Sequence, residues 1–266
     1  MFKLQIYFVS IILLVFPPSI THGQQTISYG DYSIETKFPA NGSRPYFTIK
    51  RGRHLLSKHS GLIASDIGMK IELVDLLHAQ SKQLLLRMYT GGNHCCDIIR
   101  IYDLGPRLRL LFRSSDYDLN DREGLRYFEV KQLDNDAPLE LVAESYAFAY
   151  FDNLPWVSSP MPEIIFDYNA GTRKFTIANR RFSKYLLRDV DEWKSETMKI
   201  RDVDRNQYRV SMFSIFVRLA YAGRKERAMQ LYFEDHYLKR FHLTHNRVLI
   251  QTALNNDAAY RAIYRK

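Results

Sequence analysis

Across the middle of the chain, short runs of apolar and β-branched residues are separated by polar, turn-forming breaks, a pattern that predicts strands. Ile71 to Leu77, Leu84 to Tyr89, Asp97 to Tyr102 and Arg107 to Phe112 form one series of four. The last two flank Asp103-Leu104-Gly105-Pro106, a glycine-containing break of hairpin length. Glu163 to Tyr168 and Lys174 to Ile177 flank Asn169-Ala170-Gly171 in the same manner. From about Asp189 the period lengthens. Val210, Phe213, Phe216, Val217 and Ala220 follow helical spacing, and Gly223 stands where a helix-ending glycine belongs. Ala228, Leu231, Tyr232 and Leu238 predict a second helix paired with the first. THNRVLIQTALNND predicts another, with Thr244 as its N-cap.

The strand region is self-similar. DIGMKIELV (Asp66 to Val74) recurs as DNDAPLELV (Asp134 to Val142), and DIIRIYDLGPR (Asp97 to Arg107) recurs as EIIFDYNAGTR (Glu163 to Arg173). The two offsets, 68 and 66 residues, suggest a duplicated unit of about 67 residues, with repeat 1 near 66–112 and repeat 2 near 134–177. Each unit reads as four antiparallel strands, the size of a propeller blade. The stretch before Asp66, with RPYFTIKRG and GRHLLSK, reads as a further, irregular sheet. The expected fold is α+β: antiparallel sheet repeats, partly propeller-like, over 24–188, then a helical region over 189–266.

The N-terminus changes the setting. Lys3 precedes a mostly apolar run from Ile6 to Phe16, broken by Pro17 and Pro18, with Thr21-His22-Gly23 following. This is the pattern of a secretory signal peptide over 1–23, cleaved near Gly23, and the run is too short to span a bilayer. A periplasmic or secreted location follows. The full sequence is 46% hydrophobic and 14% aromatic, and the chain after the signal segment can bury a sizeable core without disulfide staples. Its charge is uneven: Gly171 to Lys266 carries 21 Lys/Arg against 10 Asp/Glu, while Gln24 to Ala170 carries 16 against 19. Export argues against nucleic acid as the partner of the basic half. Anionic lipid headgroups, cell-wall polymers or an acidic protein are the counter-charges to expect, and a merely solvated basic face is the plainer alternative.

Cys95 and Cys96 are the chain's only cysteines, in TGGNHCC. In an oxidising compartment an intrachain bond has to join these neighbours, forming a strained ring that locks a turn. A ligand-contacting or redox-responsive version of that bond, free thiols, intermolecular bonding and metal ligation remain open. His94 is a poor activator of Cys95, because successive strand residues point to opposite faces. NLPWVSSPMP, Asn153 to Pro162, frames Trp156 with prolines, either as a contact loop or as a cap on the sheet core. No G-x-S-x-G, H-E-x-x-H, P-loop or dinucleotide fingerprint occurs.

The segment from about Asp66 to Arg181 resembles bacterial secreted proteins related to the FG-GAP/VCBS repeat group. They carry a GGxHCC motif, complete here in TGGNHCC, and acidic DxDGDGxxE loops, reduced here to QLDNDAPLEL. The resemblance implies export and architecture rather than a reaction. It also points to calcium as a possible cofactor, with Gln132, Asp134, Asp136 and Glu140 at the ligand places. Gln132 replaces the usual Asp and Ala137 the usual Gly, and an Asx-type turn competes with a metal loop. The expected function is a non-enzymatic envelope binding module. A secreted hydrolase with dispersed catalytic residues, or a redox-responsive protein using the vicinal cysteines, are the alternatives.

Overall fold

A computed structural model describes residues 26–39, 44–60, 69–89, 97–117, 127–235, 238 and 244–265. Their strands form three four-stranded antiparallel meanders. The first sheet holds β1 (Thr26–Tyr29), β2 (Tyr32–Lys37), β3 (Tyr46–Arg51) and β4 (His54–Ser60). The second holds β5 (Met69–Val74), β6 (Gln83–Tyr89), β7 (Asp97–Asp103) and β8 (Arg109–Arg113). The third holds β9 (Phe128–Lys131), β10 (Glu140–Glu144), β11 (Glu163–Asn169) and β12 (Lys174–Ile177). Helices follow: α1 (Ser183–Leu186), α2 (Val190–Lys199), α3 (Arg205–Tyr221), α4 (Lys225–Phe233), α5 (Thr244–Asn256) and α6 (Ala258–Tyr264). The fold is α+β with sheet repeats. No helix among the described residues is long and apolar enough to cross a membrane.

Two details of the repeat differ from the sequence pattern. DIIRIYDLGPR and EIIFDYNAGTR do occupy equivalent places, opening on β7 and β11, the third strands, and running through the turns toward β8 and β12. The other pair does not: MKIELV is β5, a first strand, whereas ELV at Glu140 to Val142 begins β10, a second strand. The third sheet accordingly starts at Phe128, upstream of Asp134. A short apolar run suits any buried strand, so likeness over such a run does not fix its place in a sheet. The stretch before residue 60 is a complete four-stranded sheet, with a register shift between Ile49 and Lys50. Its last strand was hard to read because β4 is mostly exposed and carries little alternation.

The sheets stack face to face because alternate residues of the inner strands are apolar on both sides. Tyr32, Ile34, Phe47 and Ile49 of the first sheet meet Ile71, Leu84, Leu86 and Met88 of the second. On the second sheet's other face, Leu85, Ile99, Ile101 and Phe112 join a larger core with Leu141, Ile164 and Phe166 of the third. The Phe112 and Phe166 rings cross edge-on at 4.9 Å. The third sheet's far face, Val142 and Ile165, is covered by Phe182, Leu186 and Ala222 around α1 and the end of α3. The stack's other end is polar: Lys50 bonds Glu35 at 2.9 Å, and Lys58 lies over the Tyr46 ring. A stack finished by a polar face at one end and a helix at the other buries its apolar surface without a ring of further blades.

The α3–α4 turn shows how locally the helical half is specified. Arg224 N–H donates to Leu219 C=O at 2.9 Å and Gly223 N–H to Ala220 C=O at 3.2 Å, the two bonds of a Schellman ending. Gly223 has φ +79°, and a Cβ there would sit 2.7 Å from Arg180 Cγ. Gly223→Ala is therefore expected to destabilise by about 1–3 kcal/mol, read as a lower urea midpoint with an unchanged slope.

Candidate functional site

β10 ends at Glu144 and β11 begins at Glu163, and the two are cross-strand partners. The connection between them is long and turns sharply. Tyr150, Asp152 and Asn153 all adopt positive φ (55°, 52° and 61°), each costing about 1–3 kcal/mol unless its surroundings impose it. Buried Ser159 supplies part of that imposition: its hydroxyl accepts from Tyr150 N–H at 2.9 Å and donates to Pro155 C=O at 3.1 Å. Trp156 packs against Tyr146 and Tyr150 with ring centroids 5.4 and 5.3 Å away.

This connection forms one wall of a cleft of about 510 Å³. Val157 to Glu163 face the ends of α1 and α2, at Arg188 and Trp193, and the α3 residues Gln207, Ser211, Ser214, Arg218 and Tyr221. Glu144 and Glu163 lie at its sheet end. Like charges opposite one another on a ladder repel, and Arg188 stands 3.8 Å from Glu163. Asp189 lies 3.4 Å from Arg188 and 3.8 Å from Arg218. Val157, at the rim, is 90% exposed. Trp156, singled out by its proline frame, does not line this cleft. It shores up the wall from behind.

A buried pin holds the cleft together. Ser145, just beyond β10, donates to Asp257 Oδ2 at 2.8 Å, and Tyr221 at the end of α3 donates to the same oxygen. Oδ1 of Asp257 accepts from Tyr260 N–H at 2.7 Å, capping α6. All three side chains are buried. Burial is the main cause that holds the Asp257 carboxyl above the usual carboxylate range and the Tyr221 phenol well above its usual one.

The acidic loop carries an arginine among its carboxylates. Asp134, Asp136 and Glu140 do converge, with carboxylate oxygens within 4.8 Å of one another. Arg181, just beyond β12, reaches into the group: its guanidinium donates to Asp134 at 2.6 Å and to Asp136 and Asp167. These bonds push the arginine pKa up and hold Asp136 below the ordinary carboxylate range. Gln132 turns its amide outward as a donor, to Asp134 C=O at 2.6 Å and Asp136 C=O at 2.9 Å. Asp136 N–H donates to Asp134 Oδ1, the Asx-type turn. Glu140 is fully buried: one oxygen accepts from Leu133 N–H at 2.7 Å, and burial raises its pKa. A guanidinium thus stands where the resemblance would put a metal ion.

No family model, curated protein or solved structure matches this chain. Its chemistry has to be argued from its own residues. At the interface of the first two sheets, Ser57 Oγ and Tyr102 Oη contact His59 Nε2 at 2.6 and 2.7 Å. Arg100 faces His59 Nδ1. His94, Cys95 and Cys96 fall between β6 and β7, outside the described residues, as does the signal-peptide segment.

Sequence reasoning missed Arg181 and the cleft, since neither carries a local signature. Asp257 was findable: an Asp followed by Ala-Ala-Tyr, directly after one helix, is a helix-start signal.

Proposed function

We propose that this chain is an exported, non-enzymatic binding protein of the bacterial envelope, and that the cleft between the β10–β11 connection and α1–α3 is its ligand site. The observation that carries the reading is a 510 Å³ cleft whose wall is held in a strained conformation by its own side-chain fasteners. Strain of this kind persists where a defined surface has to be presented, and the volume is that of a small-molecule site. Signal-peptide pattern, partial-propeller reading and the GGxHCC resemblance support export and a scaffold role. We read the bonds of Arg181 to Asp134 and Asp136 as a structural clasp in place of a calcium ion.

The test is a thermal-shift screen of polar metabolites and cell-wall fragments against the mature protein and Ser214→Trp, which fills the cleft. A compound that raises the wild-type midpoint and leaves Ser214→Trp unmoved is the expected result. Loss of the reading follows if every stabilising compound acts equally on both proteins.

A hydrolase is the second reading, favoured by Glu144 and Glu163 facing each other in the cleft. A pair of carboxylates is the equipment of a glycosidase. Turnover of chromogenic glycosides that disappears in Glu163→Gln would establish it in place of the binding role.

For the cysteines the expected result is an intact mass about 2 Da below the fully reduced chain in protein recovered from the periplasm, since a disulfide removes two hydrogens. A mass showing two free thiols would remove the vicinal clamp.

A further inference from the structure

We infer that the cleft recognises an oxyanion, the carboxylate or phosphate of a small hydroxyl-bearing molecule, through Arg188 and Arg218. This rests on the cleft being the ligand site and names the chemistry it takes. Both arginines line the cleft, and each has one donor held by a main-chain carbonyl. Arg218 Nε donates to Leu186 C=O at 2.6 Å, and Arg188 Nη1 donates to Tyr185 C=O at 2.9 Å. Arg188 is further steadied by lying 4.3 Å over the Tyr185 ring.

The acids nearby balance these charges and come close to a donor only at Arg188 Nε, 3.4 Å from Asp189. Glu163 stands 3.8 Å from Arg188, and Asp189 stands 3.8 Å from Arg218, both beyond hydrogen-bond range. Arg218 Nη1 and Nη2 consequently make no hydrogen bond among the described residues, although this side chain is only 23% exposed. Two pre-aimed forks with unfilled donors fit the planar or tetrahedral oxygens of a carboxylate or phosphate. Asp189 is 57% exposed and free to turn to water when an anion enters. The hydroxyls of Ser211 and Ser214 supply partners for a hydroxylated body behind the anion.

The experiment is calorimetric titration of the mature chain, at fixed ionic strength, with glucose 6-phosphate, glucuronate, inorganic phosphate and glucose. Glucuronate and glucose 6-phosphate separate the two anion sources; glucose removes the anion, and inorganic phosphate removes the body. The expected result is binding of at least one anionic sugar, about ten- to a hundredfold weaker in Arg218→Gln and in Arg188→Gln. Arg265→Gln, which deletes an equal charge at the exposed C-terminal end, should bind as the wild type does. Should Arg218→Gln fail to fold, the exposed Arg188→Gln carries the same comparison. Equal weakening by Arg265→Gln would overturn the assignment in favour of diffuse attraction, as would equal affinity for glucose. No binding by any probe also overturns it. A neutral compound that binds wild type and not Ser214→Trp would then still uphold the cleft as the site.

Discussion

Asp257→Ala is expected to lower unfolding free energy by about 3–5 kcal/mol, through two buried hydroxyls left without their acceptor and a lost helix cap. Ser145 and Tyr221 both donate to this carboxylate, and Tyr260 N–H uses its other oxygen. The pin joins the end of β10 to α3 and α6, so its loss loosens the sheet-to-helix contact that bounds the cleft. At about 2–4 °C per kcal/mol for a chain of this size, the midpoint should fall by roughly 10 °C. Asp257→Asn should cost far less, because an amide can still accept from Tyr260 N–H and the two hydroxyls can rotate to accept from it.

The same pair of variants tests the titration. Burial raises the folded-state pKa of Asp257 above its unfolded value. Its contribution is therefore complete below the ordinary carboxyl range, near pH 4, and is lost as pH rises through the raised value. Wild type should lose stability relative to Asp257→Asn across that window and run parallel to it above. Parallel curves throughout would show that the carboxyl is not held out of water as described.

Arg181→Ala is the second large effect, and it should convert a structural clasp into a metal site. Removing the guanidinium leaves Asp134, Asp136 and Asp167 facing one another around Glu140. The arginine is about half exposed, so the direct loss is modest, about 1–2 kcal/mol for a three-carboxylate network. The gain is the informative part. Calcium at a hundredfold excess over its dissociation constant should restore about 2.7 kcal/mol to the variant, while wild type ignores both calcium and chelator. A wild type that responds to chelator, or a variant blind to calcium, would mean that Arg181 does not stand in for a cation. Asp136 adds a pH signature opposite to that of Asp257. Arg181 depresses its pKa, so its contribution is full above about pH 4 and lost as pH falls through the lower folded value.

Several elements were legible directly. The Leu104-Gly105-Pro106 break lies between β7 and β8, and Ala170-Gly171 lies between β11, which ends at Asn169, and β12. Gly223 ends α3 with both Schellman bonds. Asp134, Asp136 and Glu140 of the acidic loop converge. What filled that loop was not legible. Arg180 and Arg181 look alike in the chain, yet one guanidinium lies over the Tyr264 ring and the other in the acidic group. Trp156, framed by prolines, read either as a contact or as a cap, and it packs against Tyr146 and Tyr150.

The division follows the range of the forces. Alternation, helical spacing and a glycine at positive φ act within a few residues, and these determined that the chain is sheet repeats followed by helices. Ser145 meets Asp257 across 112 residues and Arg181 meets Asp134 across 47. Such partners are chosen by how the sheets stack and where the helices dock, a competition among many packings that no local pattern records. The tertiary structure alone therefore decided which acids are clasped, which arginines keep free donors, and where a cleft opens.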